Sequence, residues 1–128
     1  MRIEHVAMWV RDLEKMKAFY SINFKMKSGE IYVNEKKGFS SYFLSFESGA
    51  RLELMHRPDI LESGISRNLL MGLNHLAISV GSKEKVDELT NFLREKGIQI
   101  IGEPRTTVDG YYESVIADPE GNLVEITI

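Results

Sequence analysis

The chain carries one pattern twice. Ile3–Val10, IEHVAMWV, aligns with Leu73–Val80, LNHLAISV, which places His5 on His75. Later in each half a hairpin glycine precedes an acid by four residues, as Gly49 before Glu53 and Gly121 before Glu125. Such a repeat is highly constraining, because both halves must build the same supersecondary unit. Each half reads as strand, helix, strand, strand, strand. The sequence therefore predicts an α+β protein made of two βαβββ modules. Module 1 covers about residues 1–57, a linker about 58–72, and module 2 about 73–128. At 128 residues the whole is read as a single domain, being short for two independent ones.

Alternation assigns the strands and capping residues the helices. Arg2 to Val10 is a strand with Ile3, His5, Ala7 and Trp9 opposite Glu4, Val6, Met8 and Val10. Asp12 caps a helix whose stripe is Leu13, Met16, Phe19 and Tyr20 and which runs to about Phe24. Gly29–Val33 and Ser40–Phe46 are short strands around a charged loop, Asn34–Gly38. A hairpin at Glu47–Gly49 leads to the strand Ala50–His56, with Arg51, Glu53 and Met55 on one face and Leu52, Leu54 and His56 on the other. Arg57–Gly72 lacks a period and reads as a linker with room for one helical turn. In the second half, Leu73–Val80 places His75, Ala77 and Ser79 on one face. Ser82 caps a helix with the stripe Val86, Leu89, Phe92 and Leu93, ending at Gly97. Ile98–Ile101 and Tyr111–Ala117 are strands around a loop with Pro104 and Gly110. Asp118–Gly121 makes a turn into the last strand, where Val124, Ile126 and Ile128 pack and Glu125 points the other way.

A half-buried carboxylate needs a cation or several donors to offset desolvation. If the first and last strands of each module lie together, His5 comes near Glu53 and His75 near Glu125. Two such sheets related by approximate two-fold symmetry bring all four side chains to one point. Two neutral imidazoles and two carboxylates cancel the charge of a divalent ion. In a six-coordinate ion they leave two positions for water or for two substrate oxygens, an open and catalytic arrangement. With no cysteine in the chain, the ion must be held by nitrogen and oxygen, which suits Ni, Co, Mn, Fe or Zn. Trp9, Met55 and Tyr112 are candidate pocket residues, and Arg51, on the face of Glu53, is a candidate for holding an anionic substrate group. His56 faces away from Glu53 and is read as structural. The formal charge of -3 and the lack of a Lys/Arg cluster argue against nucleic acid. There is no cationic leader and no apolar run long enough for a bilayer, so no membrane partner is expected and the protein is read as soluble and cytoplasmic.

Three stretches, H-x-A-x-x-V at His5 and His75, RDLEKMKAFY at Arg11–Tyr20 and DPEGNLVEI at Asp118–Ile126, resemble the vicinal oxygen chelate superfamily of glyoxalases, bleomycin-resistance proteins and dioxygenases. The resemblance spans almost the whole chain and is closest to glyoxalase I-like proteins. It implies βαβββ modules forming a cupped mixed sheet around one divalent metal, paired within a chain or across a homodimer. The ligand pattern of bacterial glyoxalase I is similar to His5, Glu53, His75 and Glu125. Methylmalonyl-CoA epimerases typically have glutamine where Glu53 stands, and Trp9 occupies the place of an arginine that often helps glyoxalase I bind glutathione. The implied activity is that of a lactoylglutathione lyase-like lyase or an isomerase. Its substrate would be a small molecule with vicinal oxygens, reacting through an enediolate-type intermediate with Glu53 or Glu125 as base. Two alternatives are a bleomycin-resistance-type binding protein without catalysis and a thiol transferase of the fosfomycin-resistance type. The first group generally lacks the four ligands and the second usually lacks the first-module acid.

Overall fold

The structure, a computed structural model, describes residues 1–65 and 69–128. It divides into two compact units, Met1–Glu62 and Ser63–Ile128, and the division falls within the stretch read as linker. Residues 66–68 of the linker, for which one helical turn was expected at no particular place, lie outside the described residues.

In the first unit, strand β1 (His5–Trp9) leads to helix α1 (Leu13–Phe24). Asp12 caps the helix by accepting a hydrogen bond from the Lys15 amide at 2.9 Å. Strands β2 (Lys27–Ser28), β3 (Tyr32–Asn34), β4 (Phe39–Ser45) and β5 (Arg51–His56) follow, with a 3-10 turn at Glu35–Lys37. The sheet runs β1-β5-β4-β2, with β3 also on β4; β1 and β5 are parallel and the remaining pairs antiparallel. Met16, Phe19, Tyr20 and Phe24 of α1 are buried, as are Leu44, Leu52 and Leu54 on the sheet face they cover. The expected strand Gly29–Val33 is instead two short pieces interrupted around Gly29–Ile31. At the sheet edge these residues are largely exposed, so no buried face holds them in one register. The first strand also begins only at His5 rather than Arg2.

The second unit repeats the plan with β6 (His75–Ser79), α2 (Lys83–Glu95), β7 (Ile100–Thr106), β8 (Tyr112–Ala117) and β9 (Leu123–Thr127). Its order is β6-β9-β8-β7, and β6 with β9 is again the parallel pair. Ser82 caps α2 by accepting from the Lys85 amide. Val86, Leu93, Ile116, Val124 and Ile126 are fully buried between helix and sheet, where Thr90 and Ser114 satisfy each other at 2.6 Å. Strand β7 is longer than the expected Ile98–Ile101 and passes through Pro104. As an edge strand with register shifts on both sides of Gly102, it tolerates a residue without an amide proton. Among the described residues no helix is long and apolar enough to cross a membrane.

Candidate metal centre

Strand pairing sets the candidate ligands. In the first unit Ala7 lies opposite Glu53 and His5 opposite Arg51, so His5 and Glu53 are diagonal neighbours on the sheet face away from α1. In the second, Ala77 lies opposite Glu125 and His75 opposite Leu123, the same register. The residue beside each glutamate is the small Ala7 or Ala77. His5 Nε2 stands 3.8 Å from Glu53 Oε2, and His75 Nε2 stands 3.6 Å from Glu125 Oε2. The carboxylates are mostly covered, at 14% and 16% exposure, while the imidazoles are 40% and 43% exposed. A small guest therefore has access to the nitrogen side.

These separations are too long for good hydrogen bonds. They leave room for an ion between nitrogen and oxygen: two atoms each about 2.1 Å from one ion stand roughly 3.0–3.6 Å apart for angles of about 90–120° at it, and the two pairs lie at the upper end of that range and slightly beyond it. Each histidine has its other nitrogen occupied, His5 Nδ1 by Glu4 Oε2 at 2.5 Å and His75 Nδ1 by Asn74 Oδ1 at 3.0 Å. Both partners accept, so Nδ1 is the donor, and in the neutral ring the Nε2 lone pair faces the glutamate. Nearby charge also calls for a cation. Burial, and then the adjacent Glu113 carboxylate, push the Glu125 carboxyl above its ordinary range, while His75 and Arg105 oppose that shift. One guanidinium serves two acids here, since Arg105 Nη2 donates to Glu113 Oε1 at 3.0 Å. The donor types and spacings thus fit half of a divalent-cation site in each unit. Among the described residues no cluster of three or more such side chains is found, so the donors come in pairs.

The other candidates separate. Trp9 shares the face of His5 and is paired in register with Met55; its ring meets Phe39 edge-on at 6.1 Å, and Phe39 in turn meets Tyr32. Arg51 is committed to Glu4, its Nε at 2.8 Å and Nη2 at 2.6 Å from the same oxygen, and it stacks 4.1 Å over Phe43. Tyr112 lies on the opposite face of β8 from Glu113 and donates its hydroxyl to Asp87 of α2 at 2.8 Å. That bond, before burial, raises its phenol above the ordinary range and ties it to the helix side instead of the Glu125 face. His56 Nδ1 lies 3.0 Å from the Val10 carbonyl, joining the ends of β1 and β5. Glu4, Asn74, Glu113 and Arg105 were not anticipated. Glu113 could have been found by counting back from the Asp118 turn, which puts it two residues beyond Val115, the partner of Glu125.

Comparison with known proteins agrees with this plan. The model of the Glyoxalase/Bleomycin resistance protein/Dioxygenase superfamily matches residues 2–126, and the chain belongs to that family. It is 35% identical over 97 residues to the uncharacterized protein YwkD of Bacillus subtilis (strain 168), a match covering 76% of this chain and 73% of that one. It is 29% identical to the mitochondrial methylmalonyl-CoA epimerase of Bos taurus, over 98% of this chain and 73% of the epimerase. Among solved structures, glyoxalase I from Zea mays (V278E mutant) superposes with a TM-score of 0.81 at 24% identity, covering 98% of this chain. This chain spans only 44% of the maize chain. A glyoxalase family protein from Enterococcus faecalis gives a TM-score of 0.80 at 23% identity, covering 99% and 97% of the two chains. At these identities the structural likeness speaks to fold.

Proposed function

We propose that the protein is a metal-dependent lyase or isomerase acting on a small molecule with two adjacent oxygens. In this reading His5, Glu53, His75 and Glu125 together hold one divalent cation, the two half-sites meeting within one chain or across a homodimer. The observation that carries it is the pair of half-sites: His5 with Glu53 and His75 with Glu125, in identical register, with both Nε2 atoms on the side of the acid. The cation, when bound, supplies Lewis acidity to the paired oxygens of the substrate. Glu53 or Glu125 takes the proton from the carbon next to those oxygens and returns it, which is the general-base step such a reaction needs. Trp9 and Met55, paired in register two residues beyond Ala7 and Glu53, flank the first half-site. The epimerase relative favours proton movement without loss of a group.

The test is solvent deuterium exchange. Protein reconstituted with nickel, cobalt, manganese or zinc would be offered methylmalonyl-CoA, and separately a hemithioacetal of methylglyoxal with several thiols. Deuterium entering one of these substrates is the expected result, reduced at least about a hundredfold in Glu53→Gln or Glu125→Gln, whichever removes the base. Metal uptake with no exchange in any substrate contradicts an enzyme of this class and leaves a binding protein.

A further inference from the structure

The two half-sites share a register but differ in what stands behind each histidine. Behind His5 is a carboxylate: Glu4 Oε2 accepts from Nδ1 at 2.5 Å, while Glu4 Oε1 takes two donors from Arg51. His5 and two nitrogens of Arg51 thus converge on the two oxygens of one carboxylate. The arrangement is braced. The Arg51 amide bonds the Glu4 carbonyl at 3.0 Å, the guanidinium lies over the Phe43 ring, and the His5 ring meets the same phenylalanine edge-on at 5.4 Å. Behind His75 is an amide: Asn74 Oδ1 lies 3.0 Å from Nδ1. The places of Arg51 and Phe43 are taken by Leu123 and Val115, which have no charge or ring. A strand would normally point Glu4 and Asn74 away from the histidines that follow them. Both precede the first strand residue, so both are free to fold back.

We infer that Glu4 and Asn74 are positioning residues that hold the proton of each neutral imidazole on Nδ1, and that Glu4, held by Arg51, makes His5 the stronger donor of the pair. The inference rests on reading His5 and His75 as ligands. A carboxylate partner raises the basicity of an imidazole ligand more than a neutral amide does, and such outer partners commonly change metal affinity about 10–100-fold. Arg51 then acts through Glu4 and not on a substrate anion.

Two measurements on the full chain test this. Long-range proton–nitrogen NMR of the metal-free protein, at a pH where the rings are neutral, should show His5 and His75 with the proton on Nδ1. Glu4→Ala should convert only His5 to a tautomer mixture, and Glu4→Gln should keep the proton on Nδ1. Cobalt(II) affinity, measured by chelator competition, should fall about tenfold or more in Glu4→Ala, less in Glu4→Gln, and also in Arg51→Ala, and should rise in Asn74→Asp. A wild-type His5 protonated on Nε2 overturns the inference. So does wild-type protein that binds cobalt while Glu4→Ala keeps both its tautomer and its affinity. Wild-type protein that binds no cobalt overturns the ligand reading itself, and with it the claim of unequal donors.

Discussion

Glu125 sits where three side chains disagree: burial and Glu113 favour its neutral form, His75 and Arg105 its charged form, and the first pair prevails. In the metal-free protein its carboxyl therefore takes up a proton before the unfolded chain would. The charge opposes folding above the raised value, and that penalty is relieved as pH falls toward the ordinary 4.5. Glu125→Gln should accordingly raise the Tm of chelator-treated protein at neutral pH by about a few degrees, and flatten its gain in stability on mild acidification. Thermal unfolding of both proteins across that range checks it; a lower Tm in the variant would mean that the charge is already satisfied. The histidines and glutamates were legible in the sequence because duplication marks them and alternation gives their face. Glu4 and Asn74 were hidden by the same alternation, which assigns Glu4 to the face opposite His5. Only the start of the strand at His5 lets the side chain return.

The turn before β9 decides where Glu125 falls in register. Asp118 is buried, and its Oδ1 accepts from the amides of Glu120 and Asn122 at 2.9 Å while Oδ2 accepts from the Asn122 side chain at 2.8 Å. Gly121 has φ 81°, in the left-handed region that a side chain resists. Asp118→Ala leaves buried donors without a charged acceptor and should destabilise by about 2–3 kcal/mol. Gly121→Ala should cost about 1–2 kcal/mol. Urea unfolding measures both, and an Asp118→Ala variant within about 0.5 kcal/mol of wild type would show that the turn does not depend on this carboxylate. Capped helices and hairpin-bounded inner strands were readable because cap, turn and period agree there. The edge strands were not. β2 and β3 break apart, and β7 runs through Pro104, because an edge has only one partner and places little demand on pattern or on every amide.

Duplication places one imidazole and one carboxylate in each unit, set by one parallel strand pair. Under the proposed function neither half alone carries enough donors for tight, selective binding of a first-row ion, whereas the two together would neutralise its charge. His5→Ala and His75→Ala should therefore each abolish tight metal uptake instead of halving it, with His5→Ala the more severe. Equilibrium dialysis against cobalt(II) distinguishes shared from separate sites by stoichiometry: one ion per two half-sites if shared, two if separate. The family was readable from three sequence stretches, but how the halves combine was not, because the repeat constrains each module and leaves their pairing open. The most direct measurement is anomalous scattering at the metal edge from crystals of the cobalt-loaded protein. A single peak bonded to His5 Nε2, His75 Nε2 and the carboxylates of Glu53 and Glu125, within a chain or between two, is the predicted result. A metal peak held by other residues, or separate ions at the two half-sites, would contradict it.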